Sequence, residues 1–87
     1  MSRKLKFFKR YFHEFYDKQD HNTRAKILYV INLVLDLKIV PKTFFKRISG
    51  SQGIYEVRVK YGQNSFRIFS FIDDQNNLVL LNCCIKK

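Results

Sequence analysis

The stretch from Gly53 to Ile72, GIYEVRVKYGQNSFRIFSFI, decides the fold. It reads as two runs of alternating residues joined by a polar turn, Gly62-Gln63-Asn64-Ser65, and a period of two belongs to strands, not helices. Gly and Asn adopt positive φ at little cost, which is what a tight hairpin turn requires. A loop of two residues (Gln63-Asn64) or of four (Gly62 to Ser65) sets Tyr61 opposite Phe66. Tyr55, Val57, Val59 and Tyr61 then share a face with Phe66, Ile68, Ser70 and Ile72, and that apolar face is expected to meet the core. The other face carries Glu56, Arg58 and Lys60 beside Arg67, Phe69 and Phe71. A three-residue loop would mix the two sets, which burial disfavours. The favoured register places Lys60 directly across from Arg67, and like charges so placed destabilise by a few tenths of a kcal/mol up to about 1. A cationic cluster built against its own repulsion suits a site that awaits an anion. The competing reading is the ordinary solvated face of an antiparallel sheet.

Working outward, Leu5 to Phe8 is short and apolar between basic residues and predicts a short strand. From Lys9 to Lys18 the spacing predicts a helix, with Phe8, Tyr11, Phe12, Phe15 and Tyr16 forming a stripe that belongs to the core. His13 falls between stripe residues and is expected to be exposed. His21 lies in the following turn. Neither has a partner in the sequence that marks a metal ligand or a base. Asp20 or Asn22 is placed to cap a second helix running to about Leu37. Its core face is Ile27, Val30, Ile31, Val34, Leu35 and Lys38, widened by Leu28 and Leu33. Pro41 closes this unit.

Residues 42–52, KTFFKRISGSQ, form a connector that holds Lys46 and Arg47 and is anchored by Phe44 and Phe45. After the hairpin, residues 73–77 (DDQNN) make another polar turn. Leu78 to Ile85 is almost continuously apolar, as a central strand buried on both faces would be. The order is thus strand, helix, helix and a three-stranded meander. This is an α+β fold in which an N-terminal strand and a helical hairpin pack on a twisted antiparallel sheet, leaving its other face uncovered.

A chain of 87 residues makes one small domain, and its net charge of +10 favours an acidic partner such as nucleic acid, an acidic protein segment or an anionic membrane. The N-terminus, MSRKLKFFKRYF, is basic but lacks the apolar core of a secretory signal. The apolar run from Ile27 to Val40 is too short and too interrupted to span a membrane. Cys83 and Cys84 are adjacent and would strain a mutual disulfide, so both are read as buried thiols in a reducing compartment. A cytoplasmic protein is expected, with no membrane partner, no metal and no cofactor.

No Gly-rich phosphate loop, zinc spacing, nucleophile elbow or paired-carboxylate motif is present. What remains is the cationic sheet face. Arginine forks match phosphate oxygens, and lysine offers a point charge or a tunable base. Phe69 and Phe71 would stack on unpaired bases or be covered by a partner. Metal-free RNA cleavage needs little more. The 2′-OH is an internal nucleophile, a base takes its proton, cations stabilise the crowded phosphorane, and an acid protonates the leaving oxygen. Lys60 and Glu56 are the two candidate bases.

The wording G-I-Y-E-V-R-V-K-Y-G-x-N-x-F-R-I-F-S-F-I-D, followed by L-V-L-L-N-C-C-I-K-K, resembles the RelE/ParE superfamily of type II toxins, in its HigB-like, phage-derived branch. The resemblance covers essentially the whole chain. It implies a toxin that cleaves mRNA, usually in the ribosomal A site, without a metal, and that is neutralised by a cognate antitoxin, often a helix-turn-helix protein. Arg58 then matches the family's basic residue on its second strand, with Lys60 beside it. Arg67 matches the arginine of the Y/F-R-I/L motif, and Lys86 and Lys87 match basic residues just after the last strand. Candidate catalytic residues are therefore Arg58, Lys60, Arg67, Lys86 and Glu56. Candidate RNA-binding residues are Lys46, Arg47, Lys87, Phe69 and Phe71. Similar proteins usually continue into a basic tail and often a helix that supplies a catalytic Tyr, Lys or His, so the single toxin domain of residues 1–87 is expected to lack that tail. The same superfamily holds gyrase-directed members, and an inactive antitoxin-binding module is a further alternative.

Overall fold

In the computed structural model, which describes the backbone of residues 3–86 and the side chains of residues 3–85, the hairpin forms between β3 (Tyr55–Tyr61) and β4 (Asn64–Ile72). Its faces divide as the alternation predicts. Val57 lies opposite Ile68, Val59 opposite Phe66 and Tyr55 opposite Ser70, and Val57, Val59, Phe66, Ile68 and Ser70 are all buried. The register, however, differs from the expected one by two residues. The turn is Gly62-Gln63, so Tyr61 faces Asn64, and Arg58, not Lys60, faces Arg67. Gly62 has φ 61°, the positive value that the first central position of a type II′ turn demands. A slip of two leaves every side chain on its own face, which is why burial did not distinguish the registers.

The remaining elements are β1 (Leu5–Phe7), α1 (Tyr11–Asp17), α2 (His21–Asp36), β2 (Phe45–Arg47) and β5 (Leu78–Lys86), and the five strands lie in the order β1-β5-β4-β3-β2. The sheet is antiparallel from β2 to β5, whereas β1 joins β5 in parallel, with Leu5 against Leu78. The connector thus contributes a strand that its composition did not announce, with Phe45 paired to Val57 and its ring stacked on Tyr55 at 4.5 Å. Both helices cover one face. Phe12 from α1 and Ile27, Val30, Ile31 and Val34 from α2 close over Val57, Val59, Phe66, Ile68, Leu78 and Leu80 to form a single core. Among the described residues, no helix is long and apolar enough to cross a membrane.

Local chemistry fixes the helices. The Asp20 side chain accepts the Thr23 N–H at 2.8 Å and caps α2. Arg24 donates to the Tyr16 and Asp17 carbonyls at the end of α1, and Arg3 donates to the Val34 and Leu37 carbonyls at the end of α2. Cations are favoured there because helix C-termini carry unpaired carbonyls and negative dipole charge. Two of the chain's cations are therefore engaged in structure. His13 is half-buried instead of exposed, its ring 4.4 Å from that of Phe7, which the parallel β1 brings over α1.

The last strand also departs from expectation. Leu78, Val79 and Leu80 are buried, but Cys83 is half-buried and Cys84 and Ile85 are exposed. The cause is the length of β1, which pairs only with residues 78–80 and leaves the second half of β5 at an open edge. A bulge, with Leu81 and Asn82 set against Phe69, separates the two halves.

Candidate functional site

Arg67 sits at the centre of the helix-free face. Arg58 is directly opposite it on β3, Cys84 is opposite it on β5, and Glu56 and Lys60 occupy the two diagonal positions around Arg58. Glu56 closes on Arg67, with its Oε2 3.3 Å from Nε, and the two side chains retain 15% and 27% of their exposure. The Glu56 Oε2 atom is buried and accepts no well-aligned hydrogen bond. Arg58 and Lys60 make no ion pair among the described residues. The arrangement is one carboxylate and three cations about a single point, with the carboxylate placed against one arginine only.

This cluster opens sideways into a cleft of about 550 Å³ at the edge of β3. The edge is open because β2 is short. The Arg58 N–H donates to the Phe44 carbonyl at 2.7 Å, and beyond that bond Val59 to Tyr61 have no strand partner on the β2 side among the described residues. Val59, Phe66 and Phe44 give the cleft an apolar floor. Arg58, Lys60 and Arg67 line one side, Lys26 of α2 the other, and Thr43 and Ser65 add hydroxyls. An apolar floor with a few converging polar groups is the usual make-up of a small-ligand site, and the volume lies in the usual range for one.

The sequence candidates distribute unevenly over this geometry. Glu56, Arg58, Lys60 and Arg67 come together. Lys46 lies opposite Glu56 on the same face, at the rim, while Arg47 lies opposite Tyr55 and therefore belongs to the other face. Phe69 and Phe71 are half-buried on the helix-free face, Phe69 opposite Glu56 and Phe71 opposite Val79, and neither lines the cleft. Lys86 ends β5 in register with Ser65, inside the strand instead of after it. Lys87 lies outside the described residues. The two cysteines differ in setting. Burial, and next the neighbouring Cys84, push the Cys83 thiol up to about 12, whereas Cys84 is exposed beside Arg67. Lys26, Thr43, Phe44 and Ser65 were not legible as lining residues. Lys26 reads as one polar position on an amphipathic helix, and only the packing of α2 over β3 brings it to the cleft.

Residues 14–87 match the family model described as "Phage derived protein Gp49-like (DUF891)". No curated protein and no solved structure matches the chain.

Proposed function

This chain belongs to the Gp49-like family of phage-derived proteins, and from that premise we propose that it is a toxin of the RelE/HigB type that cleaves mRNA on the ribosome. The observation that carries the reading is the meeting of Arg58, Arg67 and Glu56 on the open sheet face at the mouth of a cleft. The two opposed guanidiniums offer paired N–H donors to a phosphate, and a dianionic phosphorane gains more from them than the ground-state monoanion does. The 2′-oxygen attacks the adjacent phosphorus, its proton passes to the base, and the P–O5′ bond breaks. A 2′,3′-cyclic phosphate is left on one fragment and a protonated 5′-oxygen on the other.

Glu56 is the better base of the two candidates. A carboxylate has free lone pairs as it stands, whereas an ammonium group has three donors and no acceptor, so Lys60 must first lose a proton. Arg67 holds the Glu56 carboxylate in place beside the site where the phosphate would lie. Lys60 then adds positive charge, and Lys46 extends the cationic surface. The partner that neutralises the protein is an antitoxin that covers this same face, on which half-buried Phe69 and Phe71 lie next to the cations.

Primer extension on a reporter mRNA in a reconstituted translation system tests the reading. Cuts inside codons that depend on both the protein and ribosomes are the expected result. A folded protein that makes no cuts, and that on induction signals DNA damage or has no effect on growth, would point to a gyrase-directed toxin or to an antitoxin-binding module instead.

A further inference from the structure

The cationic lining of the cleft does not stop at the sheet face. Lys26 projects from α2, on the helix-bearing side of the sheet, yet lines the same cleft as Arg58, Lys60 and Arg67. It makes no ion pair among the described residues, and its ammonium rests over the Tyr29 ring at 5.3 Å. Between Lys26 and the arginines lie the apolar floor and the open edge of β3. Charge on both sides of an apolar floor, with hydroxyls at the rim, matches a nucleotide unit: a flat base or sugar in the middle and a phosphate at each end.

Resting on the reading of this face as an RNA-cleaving site, we propose that single-stranded RNA turns around the open edge of β3. One nucleoside sits in the cleft, the scissile phosphate lies on Arg58 and Arg67, and the neighbouring phosphate lies on Lys26. Lys26 is thus a substrate-binding residue on the opposite side of the sheet from the reacting atoms, and the short β2 strand is what leaves the passage open. The contact with Tyr29 is weak enough for a phosphate to displace, because cation–π pairs at exposed sites contribute little.

Binding of a hexauridylate carrying 2′-O-methyl groups, which cannot be cleaved, tests this apart from catalysis. Its affinity is measured over a series of salt concentrations for the wild type, Lys26→Gln, Lys26→Arg and Arg67→Gln, with thermal melts to confirm folding. Each phosphate contact to a single strand contributes about 0.7 to the slope of log K against log salt. Lys26→Gln is expected to weaken binding several-fold and to lower the slope by about that amount, while Lys26→Arg restores both. An unchanged slope in Lys26→Gln, with Arg67→Gln clearly impaired, overturns the role of Lys26 and leaves the cleavage reading standing. Failure of the wild type to bind the RNA at all overturns the path around the β3 edge, while cleavage on the ribosome stands or falls by the primer-extension result.

Discussion

Arg58 and Arg67 stand directly opposite each other on adjacent strands, and Glu56 pairs with Arg67, 3.3 Å away, while Arg58 has no acidic partner among the described residues. The two arginines therefore contribute to stability with opposite signs. Opposed like charges cost a few tenths of a kcal/mol up to about 1, and Arg58→Gln removes that repulsion. Arg67→Gln removes it too, but leaves the Glu56 carboxylate half-buried and unpaired, a loss of up to about 1 kcal/mol for a pair this near the surface. Arg58→Gln is expected to melt at or slightly above the wild-type temperature and Arg67→Gln a few degrees below it. Both are expected to abolish growth arrest. Thermal melts alongside an induction assay check this, and a larger drop for Arg58→Gln would mean that the two guanidiniums do not repel in the free protein.

In the proposed mechanism Glu56 has two roles that pull apart on substitution. As the proposed base it would contribute to the chemical step, where such groups supply about 10²–10⁴-fold. As a carboxylate against Arg67 it competes with the phosphate for the same donors. Glu56→Gln is therefore expected to lower kcat by about that factor while tightening RNA binding. Tighter binding with kcat intact would transfer the role of base to Lys60.

How far the sequence reached is clearest at the hairpin. Parity along β3 and β4 was legible, because one wrong step would bury Arg58 and Arg67 and expose Val57 and Ile68. The offset was not, because turns at Gln63-Asn64, at Gly62 to Ser65 and at Gly62-Gln63 all preserve that parity. Only the backbone at Gly62, with φ 61°, selects among them. The face of α2 was legible for the same reason of period at Ile27, Val30, Ile31 and Val34, all buried, but not at its margins, where Leu28 is exposed and Lys38 lies exposed beyond the helix end at Asp36. What periodicity does not encode is which elements end early. The short β1 exposes Cys84 and Ile85, and the short β2 opens the cleft to Lys26. Both follow from tertiary pairing and leave no mark on the local pattern.

Acid sensitivity follows from two turn carboxylates. The Thr23 N–H holds the Asp20 carboxyl below its ordinary value of 3.8, and the Asn77 N–H does the same for Asp73, helped by the Asn77 side chain, the Gln75 N–H and Lys6. A depressed folded value means that the unfolded chain binds more protons at low pH. The stabilisation is complete above the unfolded carboxylate range and fades as pH falls through the lower folded values. Asn substitution removes the titration, and at Asp20 it keeps a good cap. The double variant Asp20→Asn, Asp73→Asn is expected to lose less melting temperature than the wild type between about pH 5 and pH 2. Parallel curves would show that other carboxylates control acid unfolding.

The adjacent cysteines are expected to react in sequence, not together. Their side chains point to opposite faces of β5, Cys83 toward the helices opposite Ile68 and Cys84 outward opposite Arg67. The thiolate is the reactive form, and with its pKa pushed up to about 12 Cys83 holds very little of it near neutral pH. Limited alkylation with iodoacetamide should place one label on Cys84, and the second only after unfolding, as peptide mass spectrometry would read directly. Equal labelling of both in the folded protein would mean that the second half of β5, which has no β1 neighbour, opens from β4 faster than the reagent reacts. Such opening would free Arg67 from its β5 neighbour Cys84 while β3 still holds it opposite Arg58.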